Sequence, residues 1–218
     1  MNDEIRTVSL ADRVFKRLES DILSGKYAIG EIITELSLSR ELSVSRTPVR
    51  EAIRRLVQEN LVEETAKGHV VAGVSYEDIG DIYDIRMKIE GEAVARFTKI
   101  ASEEELTRMR ELVELQEFYT QRKEADKIKA LDSEFHEIIY AGCGSKMYGY
   151  ILSSLHTKAQ NSRKHSVSDV ERAKCATEEH KKLLAAISAR DAALAEELAV
   201  AHIKNAKTNI MKAKSLEE

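Results

Sequence analysis

Apolar residues recur every three or four positions through most of this chain, and they alternate only in one short region. Leu10, Val14, Leu18 and Ile22 share a face in LADRVFKRLESDILSG, a predicted helix that stops at Gly25. TELSLSREL predicts a short second helix with Thr34 as its N-cap. Val49, Ala52, Ile53, Leu56 and Val57 then fall at i, i+3, i+4, i+7 and i+8, an apolar stripe along a third helix. In LVEETAKGHVVAGV the period changes, and two short β-like runs meet at Lys67-Gly68 as a predicted hairpin.

Three helices and a hairpin in about 75 residues form a winged helix-turn-helix pattern. Beyond it the pattern becomes long and helical, with expected helices over 76–97, 102–122, 124–141, 145–165, 168–188 and 190–213. Neither Gly nor Pro occurs after Gly149, so nothing there interrupts a helix. The expected fold is mainly α: a winged helix-turn-helix domain over 1–75, then an all-α bundle over 76–218. The boundary falls near 74–77, with Gly73 to Gly80 as the expected hinge.

Charge refines this picture locally. The 218 residues carry a net charge of −4, which argues against a broadly basic nucleic-acid binder. Residues 40–55, however, hold five Arg against two Glu. Any contact with DNA must be a local patch. The one proline, Pro48, lies in the same stretch, SVSRTPVREAIRRL. With Ser45 as N-cap, Pro48 falls in the first helical turn, where a missing N–H breaks no intrahelical bond. That N-terminus offers unpaired N–H groups to phosphate, while Arg50 and Arg54 project away from the apolar stripe and Arg46 leaves from the first turn. This division suits a recognition helix, although Arg/Glu mixtures on a helix are also a common solvated face.

The run SRTPVREA within LSVSRTPVREAIRRLVQENLV resembles the recognition helix of the GntR family of bacterial transcriptional regulators, in register over roughly residues 8–75. The resemblance implies that Arg46 and Arg50 reach the major groove, that Ser45 and Thr47 touch phosphates, and that Gly68 is a wing-tip position entering the minor groove. A basic residue that some relatives carry early in the second helix is Leu36 here, and Arg40, one turn later, is the expected substitute. The implied partner is double-stranded operator DNA, bound as a homodimer on a palindromic site.

A second constellation lies in the helical half. LDSEFHEII places Asp132 and His136 on one helix face, and His180 and His202 lie on two later helices. One carboxylate and three imidazoles could converge on a divalent ion, although by spacing alone the signal is weak and a lone interior histidine is more often a hydrogen-bonded core residue. Residues 76–215 resemble the FCD ligand-binding domain of the FadR branch, in its six-helix VanR-like form. That resemblance implies a metal held by Asp132, His136, His180 and His202, zinc first, with nickel or manganese as alternatives. It also implies a small carboxylic acid effector at the ion. Arg86 in IYDIRMKIEGEAVA matches a position that can face the effector cavity, with an inter-helix or interface salt bridge as the alternative reading. Asn161 and Arg163 are weaker cavity-lining candidates, and His156 carries no functional reading.

Other classes fit less well. Di-iron bundles need Glu-x-x-His pairs, whereas the residues three before His136, His180 and His202 are Ser133, Thr177 and Ala199. A mononuclear hydrolase lacks a marked general base, and a purely structural dimerisation module leaves the four-ligand match unexplained. Cys143 and Cys175 have neither metal nor redox spacing, and no signal-peptide pattern or apolar run of membrane length occurs. A cytoplasmic, non-enzymatic, ligand-responsive regulator is the expectation.

Overall fold

A computed structural model describes residues 9–66, 68–161 and 170–214. The chain divides into two compact units, Met1–Ser75 and Tyr76–Glu218.

In the first unit, α1 (Leu10–Leu23) starts at a capping box in which Ser9 and Asp12 satisfy each other's backbone N–H. A two-residue strand, β1 (Ile32–Ile33), precedes α2 (Glu35–Glu41), which Thr34 and Ser37 cap in the same way. Ser43, at φ 54, takes the left-handed conformation that turns the chain into α3 (Arg46–Gln58). Pro48 therefore falls in the first turn of α3, behind the N-cap Ser45. The hairpin forms from β2 (Val62–Thr65) and β3 (Gly68–Val71), with Thr65 opposite Gly68. Its period did not announce β1, which pairs antiparallel with β3 to give the sheet order β1-β3-β2. Two residues are too short to display alternation, and only the pairing creates the strand. The core takes Val14, Leu18 and Ile22 of α1, Leu38 of α2, Val49, Ile53 and Leu56 of α3 and Val71 of β3.

The second unit has six described helices: α4 (Tyr76–Ile100), α5 (Glu103–Arg122), α6 (Ala125–Gly142), α7 (Lys146–Asn161), α8 (Val170–Ser188) and α9 (Ala192–Lys214). Ser102 and Glu105 cap α5. Phe97, Met109, Leu112, Phe135, Ile139, Leu152, Leu183 and Ile187 fill the core between them. Gly91 lets α4 approach α9 closely, since a Cβ there would meet Val200 at 2.9 Å. The expected hinge must be shortened. Gly80 lies inside α4, and Gly73 is packed against Ile29 at φ 64, which leaves only residues 72–75 between regular elements. Among the described residues, no helix is long and apolar enough to cross a membrane.

Candidate functional site

The two faces of α3 differ as its pattern predicted. Val49, Ala52, Ile53 and Leu56 are buried, while Arg46, Thr47, Arg50 and Arg54 are exposed. The Ser45 hydroxyl makes no capping hydrogen bond, so it is available to an outside acceptor. Arg40 is exposed in the last turn of α2, and Gly68 holds φ 122 beside the hairpin tip, a conformation that favours glycine. Glu35, the first residue of α2, links the two elements. Its carboxylate accepts two hydrogen bonds from Arg50, Nε at 2.7 Å and Nη2 at 2.8 Å, and two from Arg46, Nη2 at 3.0 Å and Nε at 3.3 Å. Arg50 above all, with Arg46, lowers the Glu35 pKa to about 2. Arg55 plays a different part, since its Nη1 donates to Asp12 at 2.6 Å and its guanidinium covers the Phe15 ring. It ties α3 to α1.

In the helical unit Asp132 and His136 of α6, His180 of α8 and His202 of α9 each present a ligand atom, and these atoms all lie within 4.8 Å of one another. The surrounding hydrogen bonds prepare every imidazole alike. Nδ1 of His180 meets Gln116 Oε1 at 2.8 Å, Nδ1 of His202 meets Glu179 Oε2 at 2.7 Å, and Nδ1 of His136 lies 3.2 Å from Glu90 Oε1. Each partner is an acceptor, so each Nδ1 carries the proton and each Nε2 keeps its lone pair. Nε2 of His180 is buried with no hydrogen-bond partner. Phe135 stacks on the His180 ring at 4.4 Å and fixes its plane.

Charge states agree with this arrangement. Burial, and then His202, pushes the His180 imidazole well below its ordinary value. Burial also lowers His202, against the opposing pull of Glu179. Burial alone would raise the Asp132 carboxyl, but the surrounding imidazoles, His136 first, hold it below the carboxylate range. Three buried imidazoles and one part-buried carboxylate form a nitrogen-rich donor set for a divalent transition ion.

The chain matches the family described as bacterial regulatory proteins, gntR family, over residues 10–69, and the FCD domain over residues 81–205. The chain belongs to the GntR family. It carries the helix-turn-helix domain of these regulators and an FCD domain, and relatives it resembles are named as regulators rather than enzymes. One relative, the gluconate operon transcriptional repressor of Bacillus licheniformis, is 34% identical over 64% of this chain and 56% of its own length. The chain thus spans little more than half of that protein. The HTH-type transcriptional repressor GlaR of Escherichia coli is 30% identical over 87% of this chain and 90% of its own. Among solved structures, E. coli McbR/YncC superposes with a TM-score of 0.80 at 22% identity, covering 97% of this chain and all of that one, which is a likeness of fold.

This GntR-family site includes residues that sequence reasoning missed. Glu90, Gln116 and Glu179 hold the imidazoles, and His156 of α7 is buried beside them. Glu90 had one readable signal, its i,i+4 spacing from Arg86. Gln116 had none. Arg86 is not an open clamp. It is 3% exposed, with Nε and Nη2 bonded to Glu90 and Nη2 also to the Tyr140 hydroxyl. The salt bridge considered as its alternative forms within α4, not between helices. Asn161 ends α7 but its side chain, like the whole of Arg163, lies outside the described residues.

Proposed function

We propose that this GntR-family regulator binds a two-fold symmetric operator as a homodimer and is controlled by a small carboxylic acid at a divalent ion. The observation that carries the effector half is the common preparation of His136, His180 and His202, each with Nδ1 occupied by an acceptor, beside an ionised Asp132. A structural core histidine has no need for three separate acceptors arranged to the same end. The ion, zinc first, with nickel or manganese as alternatives, supplies a Lewis acid that attracts a carboxylate. Asp132 and the three imidazoles hold it, while Glu90, Gln116 and Glu179 orient them. Arg86, charge-balanced by Glu90, contributes to the wall of this site and contacts an effector only by leaving that pair.

At the DNA, Arg50 and Arg46 read base edges, Ser45 and Thr47 contact phosphates, Arg40 replaces the basic residue absent at Leu36, and Gly68 carries the wing tip. Two relatives are named gluconate operon transcriptional repressors, which supports repression as the sign and an acid metabolite as the context. The effector regulates only by binding one arrangement of the two units more tightly, and a coupling of about 2.7 kcal/mol would change operator affinity about a hundredfold. Organic acids should be titrated against the purified protein with and without chelator, following thermal stability and operator binding. Stabilisation that persists unchanged in the metal-free protein would make the ion structural and remove this mechanism.

A further inference from the structure

Among the described residues, the buried side-chain nitrogens without a hydrogen-bond partner are Nε2 of His180 and both ring nitrogens of His156. An ion accounts for His180. It does not account for His156, which lies outside the four-residue ligand set.

His156 belongs to α7, a helix that contributes no ligand, and it is 6% exposed. Its ring centroid is 4.8 Å from that of His136, and its Nε2 stands 3.7 Å from Asp132 Oδ2, beyond hydrogen-bond range. That oxygen already accepts from the Gln160 amide. Asp132 Oδ1 points the other way, towards His180 Nε2. A shift bringing His156 onto Asp132 would set it against an oxygen that the Gln160 amide already occupies. A buried polar group left unpaired in this way calls for a partner from outside the chain.

Resting on the ion and effector reading above, we propose that His156 grips the effector. Its ring N–H donates to the outer oxygen of a carboxylate bound at the ion, and its nitrogens do not bind the ion. The residue therefore selects for an anionic oxygen ligand while the ion set stays complete without it. A hydrophobic residue at this position would improve packing of the empty protein and weaken the ligand.

The test uses full-length protein stripped with chelator, reloaded with Co²⁺ and titrated with acetate, with the visible spectrum of the ion as readout. His156→Leu should take up Co²⁺ with affinity within about threefold of wild type, while acetate binds at least about tenfold more weakly. His156→Gln, which keeps a side-chain N–H donor, should recover most of that loss. Metal-free His156→Leu should melt no lower than wild type, because an unsatisfied imidazole has been replaced by an apolar group. Equal acetate affinity in wild type and His156→Leu overturns the proposal. So does a large loss of Co²⁺ affinity, which would make His156 a support of the ion, or a melting point lowered by more than about 5 °C, which would make it a packing residue. Wild type that takes up no Co²⁺ removes the ion reading itself, whereas wild type that takes up Co²⁺ without answering to acetate removes this inference alone.

Discussion

The carboxylate of Glu35 accepts both Nε and Nη2 of Arg50, a two-pronged pair joining the first residue of α2 to the exposed face of α3. Arg46 shares the same carboxylate. One acidic side chain thus orients the two guanidiniums assigned to base reading and offsets part of their charge. Glu35→Gln should release both. Non-specific DNA affinity should rise about threefold to tenfold at low salt, because a negative charge near the phosphates is lost. The ratio of operator to random-sequence affinity should fall, because the arginines lose their orientation. Competition binding at matched salt checks both, and an unchanged ratio would show that Glu35 has no part in recognition.

The same pair has a pH signature. Hydrogen bonding from Arg50, then Arg46, lowers Glu35 from an ordinary 4.5 to about 2 in the folded state. The unfolded chain therefore takes up this proton at higher pH than the folded one. The stability Glu35 contributes is complete above about 4.5 and is lost as pH falls towards about 2. The melting difference between wild type and Glu35→Gln should hold steady above about pH 5 and shrink below it. A difference still undiminished at about pH 3 would mean the pair contributes through packing rather than charge.

Two neighbouring arginines should separate cleanly. Arg50→Ala should weaken operator binding by about 1–3 kcal/mol and relax base preference. Arg55 is held by Asp12 and Phe15. Arg55→Ala should instead lower the melting point, by no more than about 1 kcal/mol of stability given the partial exposure of the pair, with base preference unchanged. Binding and melting curves on both variants check this, and relaxed specificity in Arg55→Ala would contradict the division.

His180→Ala should lower bound metal without abolishing the helical fold, since the apolar core around Phe135, Leu183 and Ile187 persists. Gln116→Leu tests the orienting shell more sharply. It leaves every ligand in place but removes the acceptor for His180 Nδ1, and should weaken metal binding about 10–100-fold. Elemental analysis and competition with a chelator supply the measurement. Full metal affinity in Gln116→Leu would show that His180 needs no orientation.

Helical periodicity, the turn residues and the SRTPVREA run were enough to read three helices and a hairpin, six further helices and the family, because each is written in local spacing. Asp132 and His136 were legible as a pair for the same reason, being one helical turn apart. The two-residue β1 exists only through its pairing with β3, and the binding of Glu35 to Arg46 and Arg50 depends on how the turn at Ser43 angles α2 against α3. Neither has a local pattern. Arg86 carries the plainest lesson: its position pointed to a cavity, yet a carboxylate one turn away in the same helix claims it, since a buried guanidinium is stable only beside its counter-charge. The sequence by itself determined which segments are helical and which residues have ligand chemistry. Only the tertiary structure decided that Glu90, Gln116 and Glu179 orient the imidazoles and that His156 is left without a partner, because partners brought together by helix packing can lie dozens of residues apart and leave no trace in local spacing.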